Sequence, residues 1–288
     1  MAMPVLLPSP PASPSSPVAA SYARLGEVFT ALSITELPAD ARLPQGTGWV
    51  GAAELASGGD GLDAFLAWDE AQVRRDYGRA ARPDVVASFA LHRYAWPVCL
   101  LVTLPWFLHR RVPRLPARNV AFQRALGRLA MRVEEFACLP DDPAAALPGA
   151  RVVAGEEALR AEVRESLAEH FEAVLTGFGP RMRRGRRALW GMVTDEIVEG
   201  LWYVAALLGD EDRALAELER LMPGTAGPYV GPAGFRELPG SAEACGAARA
   251  TRDRATCCLF YTLRPEDTCV TCPRTADGER VRRLAATA

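Results

Sequence analysis

The sequence predicts a predominantly helical α+β fold with a few short strands in its middle and a small cysteine-bearing motif near its C-terminal end. Three observations predict it. Apolar residues recur at helical spacing over long stretches, most clearly in 156–178, where Leu159, Val163, Leu167, Phe171, Val174 and Leu175 share one face. Short runs rich in Val, Phe and Met, broken by Gly or Pro, are confined to residues 119–154. Four of the seven cysteines fall within sixteen residues, between 257 and 272.

A chain of 288 residues, 49% hydrophobic and 24% charged, can bury a core without disulfide or metal staples. Its 33 basic residues, all arginine, nearly balance 35 acidic ones, for a net charge of −2. That balance gives no general attraction to polyanions, so no nucleic-acid partner is expected.

Taken in order, residues 1–17 read as a disordered Pro/Ser-rich tail. The first twenty residues hold six prolines, four serines and no charge, and so lack the basic region of an export signal. An α-rich body is expected over 18–222. It opens with a helix over 18–32, followed by a loop over 33–48 that holds Pro38, Pro44, Gly46 and Gly48. Helical spacing returns over 62–77, and Pro83 then opens a helix that runs through Val85, Phe89 and Leu91 into the apolar stretch 95–108. That stretch is shorter than the roughly twenty residues of a membrane span and contains Pro97 and Pro105, so it is expected as buried core and not as a transmembrane segment. Its flanks, Arg93, His109, Arg110 and Arg111, leave peripheral membrane contact open.

Strands are expected at 119–122, 131–139 and 151–154. Three helices follow, over 156–178, 185–208 and 210–222, the first stopped by Gly177, Gly179 and Pro180. Residues 223–240, with five glycines and four prolines, read as a linker, and residues 241–288 as a separate C-terminal region.

In that region Cys257, Cys258, Cys269 and Cys272 form a C-C-x10-C-x2-C pattern. Clustered thiols without an export signal read as metal ligands in a reducing compartment. A Cys-x2-Cys turn brings two sulfurs to one metal. Adjacent cysteines on an extended chain point to opposite faces, so Cys257 and Cys258 suit a single tetrahedral zinc less easily than the wider body of a [2Fe–2S] cluster. The spacing alone leaves zinc open.

This tail resembles the C-terminal signature of the ferric siderophore reductase family, the FhuF-like iron–sulfur proteins. The four cysteines correspond to that family's four, and Pro273 follows them. A looser likeness covers 81–115 and the helices around 188–208. The resemblance implies a [2Fe–2S] cluster held by Cys257, Cys258, Cys269 and Cys272, which passes single electrons to a siderophore-bound Fe(III) in the cytoplasm. Since no nicotinamide or flavin motif is visible, a separate electron-donor protein, a ferredoxin or flavoprotein reductase, is the expected partner. The alternatives are a zinc-stapled siderophore-binding protein without redox activity, and an iron–sulfur redox or iron sensor.

Five arginines crowd residues 181–187, before a helix carrying Trp190 and Trp202. Arg183, Arg184, Arg186, Arg187 and Trp190 are the candidate substrate-binding residues for an anionic chelate; the plainer reading is a solvated, charge-balanced helix start. Gly46, Gly48 and Gly51 spell G-x-G-x-x-G, but the polar, proline-broken residues 39–45 before them are no buried strand, so nucleotide binding is not expected. His170, beside the apolar face of its helix, reads as a hydrogen-bonded packing residue. Asp195, Glu196 and Glu199 are expected to pair with neighbouring arginines.

Overall fold

A computed structural model describes residues 16–46, 48–238, 249–266 and 268–286. In chain order these form α1 (Ala19–Val28), β1 (Ser33–Leu37), β2 (Trp49–Gly51), α2 (Ala52–Ser57), α3 (Asp60–Tyr77), α4 (Pro83–His109), β3 (Val112–Pro113), β4 (Val120–Gln123), β5 (Arg128–Arg132), β6 (Phe136–Cys138) and β7 (Ala150–Val152). Then come α5 (Glu156–Phe178), α6 (Arg186–Leu208), α7 (Glu211–Leu221), β8 (Pro223–Gly224), β9 (Gly231–Pro232), β10 (Phe235–Leu238), β11 (Arg249–Arg252) and α8 (Asp277–Ala286). The fold is α+β and mostly helical. The expected tail lies outside the described residues except for Ser16 and Pro17, as does Cys245.

Helix α4 organises the core because it is apolar on nearly every face, and it packs against α1, α3, α5 and α6. It is long and apolar enough to cross a membrane by length and composition, yet 83% of its most apolar window is buried by the rest of the protein. Pro83 sits in its first turn, where a missing N–H costs nothing. Pro97 and Pro105 lie inside it, and each leaves the carbonyl four residues earlier without its helical donor. For Pro105 that carbonyl belongs to Leu101, and the Tyr22 hydroxyl of α1 donates to it at 2.7 Å. At the helix end Arg110 adopts a left-handed φ of 55°, held by Glu156 at 3.1 Å and Glu217 at 2.5 Å. Arg111 is likewise committed to Asp142. Two of the basic residues offered to a membrane surface are thus engaged inside the protein.

The middle strands form two small sheets. One has the order β1-β5-β4-β2, with β1 parallel to β5 and the other pairs antiparallel; the second has the order β3-β6-β7. Strands β4 and β7 fall within one or two residues of the expected 119–122 and 151–154, whereas the single strand expected over 131–139 is two: β5 begins earlier, at Arg128, and β6 is a separate strand over Phe136–Cys138. The expected loop over 33–48 is different: its first residues are β1, which pairs Ile34 with Leu129 and Leu37 with Arg132. The strand is partly exposed and lies parallel to a partner far along the chain, so neither alternation nor a turn marks it locally. Strand β2 follows the glycines of 46–48, the reverse of the order a dinucleotide loop requires.

Residues 223–238, the described part of the expected linker, are packed against the body. Tyr229 and Ala233 are buried, the Tyr229 hydroxyl donates to the Arg164 carbonyl, and Val230 N–H donates to Thr194 Oγ1 at 3.0 Å. The glycines there serve turns: Gly234 has a φ of +80°, and a Cβ on it would lie 2.5 Å from the Asp253 carbonyl oxygen. That close approach seats β10 beside β11, with Phe235 opposite Arg252 and Leu238 opposite Arg249.

Candidate metal centre

Helix α6 presents an unusual stripe for so apolar a helix. Gly191, Asp195 and Glu199 recur every four residues on one face, and Asp195 and the adjoining Glu196 are fully buried. No arginine stands three or four residues from any of these acids within the helix. Their partners come from the C-terminal segment instead. Asp195 accepts from Arg252 at 2.9 Å, from the backbone N–H of Ala255 at 2.8 Å and of Thr256 at 2.9 Å, and from Thr256 Oγ1 at 2.8 Å. Glu199 accepts from Arg252 at 3.2 Å, and Glu196 lies 2.8 Å from Arg254 and 2.6 Å from His92 of α4. Gly191 completes the seat, since a Cβ there would meet the Thr256 methyl at 2.5 Å.

This seat fixes the chain just ahead of Cys257 and Cys258. The chain turns directly after them: Leu259 has a φ of 70°, its N–H donates to Cys257 Sγ at 3.4 Å, and a short 3-10 turn spans Phe260–Thr262. Leu259 and Phe260 pack on Val73, Tyr77, Val85 and Phe89 of α3 and α4, while Ser88 Oγ donates to the Cys258 carbonyl at 2.9 Å. The second cysteine pair sits on its own turn, closed by Cys272 N–H to the Cys269 carbonyl at 3.1 Å. Arg280 of α8, itself buried, donates to the carbonyls of Cys272 at 3.0 Å, Thr275 at 3.1 Å and Arg252 at 3.2 Å. One guanidinium thereby ties the second turn to the end of β11.

The sulfurs of Cys257 and Cys272 approach to 3.9 Å. Two sulfurs on one tetrahedral metal at about 2.3 Å stand about 3.8 Å apart, so this pair has the spacing of ligands to a shared metal. Among the described residues no group of three or more His, Cys, Asp or Glu is arranged to hold a metal ion. The charges of Cys258, Cys269 and Cys272 reach one another, and Cys272 meets Cys257, so the four thiols gather in one region. A second sign of fit is a buried donor with no acceptor, Arg254 Nε, three residues before Cys257.

Burial pushes the Cys257 thiol up, and it pushes Cys258 up against the downward pull of Arg254. The Cys269 thiol is pushed up to about 12, by burial first, with its cysteine neighbours adding to the effect. Ionisation of Cys257, Cys258 and Cys269 is unfavourable here until metal cations supply opposing charge. Cys272 is 3% exposed, whereas Cys257, Cys258 and Cys269 are half-buried, so the group has one edge toward solvent.

The remaining sequence candidates divide. Arg184 lies 3.7 Å from Met192 Sδ, the sulfur that Ser88 Oγ also approaches. Arg183 is exposed; Asp84, at the start of α4, is lowered first by its hydrogen bonds from Arg82, and Arg183 adds the smallest pull in the same direction. Arg186 is bound to Glu172 by two contacts of 2.5 and 2.6 Å, and Arg187 is exposed. Trp190 does not serve as expected: it is 1% exposed, wedged edge-on against Tyr229, and has no face for a dissolved ligand. His170 is a packing residue, with Nδ1 2.9 Å from the Leu115 carbonyl and Nε2 2.8 Å from the Tyr94 hydroxyl. Cys99 and Cys138 are buried.

Residues 254–274 match a family model, the FhuF 2Fe-2S C-terminal domain. All four clustered cysteines fall inside the match and fit its cluster motif. No curated protein matches the chain. The C-terminal segment is thus similar to a 2Fe-2S domain of the FhuF type, and the cofactor is a [2Fe–2S] cluster.

Proposed function

We propose that this protein is a cytoplasmic ferric siderophore reductase in which Cys257, Cys258, Cys269 and Cys272 hold the [2Fe–2S] cluster. The observation that carries the reading is the FhuF-type cysteine set presented with one edge toward solvent. Siderophores grip Fe(III) with hard oxygen donors and lose much of that preference for Fe(II), so a single electron releases the metal. The bound cluster supplies that electron one at a time. The chain's own residues seat the cysteine loops through Asp195, Arg252 and Arg280 and leave the edge at Cys257, Cys258 and Cys269 accessible to a bulky chelate.

Arginines stand around the turn that follows the first cysteine pair. Arg79 donates to the Thr262 carbonyl at 3.0 Å, Arg274 stacks 3.9 Å from the Tyr261 ring centroid, and Arg184 lies 3.7 Å from Met192 Sδ. With Arg183 they favour approach of an anionic chelate. The electron is replaced by a separate donor protein, a ferredoxin or flavoprotein reductase. The test is anaerobic: protein with two irons and two labile sulfides per chain is reduced, mixed with hydroxamate, catecholate and carboxylate ferric chelates, and followed by cluster absorbance with a ferrous-specific chelator present. Reoxidation with one Fe(II) trapped per cluster is expected. A loaded, reduced cluster that none of the three classes reoxidises overturns the proposal.

A further inference from the structure

Three guanidiniums lie buried around the cysteine loops, and two of them are saturated. Arg252 is held by Asp195, Glu199 and the Ala233 carbonyl, and Arg280 by Asp253 and three carbonyls. Arg254 is not. Its side chain is 7% exposed, Nη2 meets Glu196 at 2.8 Å, and Nε stands 3.6 Å from Asp195, too far for a hydrogen bond, leaving that N–H unpartnered. A buried donor in that state calls for an acceptor, and the sulfurs are the acceptors nearby in the sequence. Its charge already reaches two of them: burial raises the Cys258 and Cys269 thiols, and Arg254 is the largest opposing influence on both.

We propose that Arg254 is the positioning residue that raises the reduction potential of the cluster, and that Glu196 is its counterweight. The inference rests on the ligand assignment made above. Uptake of one electron adds one negative charge to the four-thiolate site, and a fixed buried cation favours the more negative state. Glu196 opposes this, since it is a buried anion paired with the same guanidinium and its charge acts on Cys258 in the opposite direction. The two charges therefore act on the cluster with opposite sign, which a purely structural pair would not do.

The experiment uses the full chain, isolated anaerobically, with iron and labile sulfide counted before each EPR-monitored redox titration. At the wild-type midpoint, Arg254→Gln is expected to lower the reduced-to-oxidised ratio on the order of tenfold, which is about 59 mV for one electron. Arg254→Lys, which keeps the charge, recovers most of it. Glu196→Gln raises the ratio, and it does so also in a His92→Gln background, where the imidazole that touches Glu196 is absent. Shifts of the same sign for Arg254→Gln and Glu196→Gln, or no shift in either with cluster content intact, overturn the inference. Should Arg254→Gln fail to load a cluster, an unshifted Glu196→Gln overturns it alone. Absence of iron and sulfide from the wild-type protein would instead overturn the ligand assignment.

Discussion

Replacing Asp195 with asparagine should release the cysteine arm while leaving the helical body folded. The carboxylate accepts three hydrogen bonds from Ala255 and Thr256 and a fourth from Arg252, all between 2.8 and 2.9 Å. Each hydrogen bond to a charged group is worth about 1.5–3 kcal/mol, and leaving one member of a buried ion pair alone costs about 3–5 kcal/mol. These contributions overlap, because asparagine keeps one acceptor and Arg252 keeps Glu199, so the net loss is about 3–5 kcal/mol. That is roughly two to three and a half orders of magnitude in the docking of the arm, set against a total stability of about 5–15 kcal/mol. The assay is the rate of cluster bleaching under an iron chelator, read beside far-ultraviolet circular dichroism. Bleaching at least about a hundredfold faster with helix content unchanged is the expected result. An Asp195→Asn protein whose cluster survives as long as the wild type refutes the idea that this carboxylate holds the arm.

Three further outcomes follow from the same geometry. Gly191→Ala drives a Cβ into the Thr256 methyl and should cost about 1–3 kcal/mol, shown as a lower melting temperature and faster cluster loss. Adding Thr256→Ser, which removes the methyl but keeps the hydroxyl on Asp195, should restore most of it; no rescue would mean that the clash lies elsewhere. His170 is lowered to about 4 by burial, from an ordinary 6.5, so the unfolded chain binds the extra proton first. Stability should fall as the pH drops from about 6.5 to about 4, by about 3 kcal/mol, and His170→Gln should flatten that part of a urea-denaturation series. The Arg183→Ala, Arg184→Ala double variant should reoxidise about tenfold more slowly with an anionic ferric chelate at low salt and match the wild type at high salt; equal rates at both would remove these arginines from the approach path.

The sequence disclosed the long elements and the cysteine set because both are local patterns. Residues 156–178 follow the helical period so regularly that the helix ends at the expected positions. Strand β1 did not show itself, because its partner β5 is remote and only Ile34 and Leu37 hint at an inward face. The stretch 223–238 misled for another reason: Gly and Pro mark turns, and turns can be packed as firmly as any helix. Asp195, Glu196 and Glu199 do pair with arginines, but with Arg252 and Arg254 of the C-terminal segment and not with neighbours on their own helix. The absence of an arginine three or four residues away, together with Arg252 and Arg254 just ahead of the cysteines, was the available signal. Trp190 looked like a platform because aromatic residues suit both cores and binding faces, and only its burial decides between them.

The acidic stripe of α6 also dictates an order of events during synthesis. The ribosome releases Asp195, Glu196 and Glu199 well before Arg252 and Arg254 exist, so a body that folds first holds an acidic furrow with His92 beside Glu196 and without its arginine partners. That furrow draws in the arginine-bearing arm when it emerges. Docking then delivers the first cysteine pair to its place, so that the receptor for the iron-binding loops is finished before the loops themselves are made.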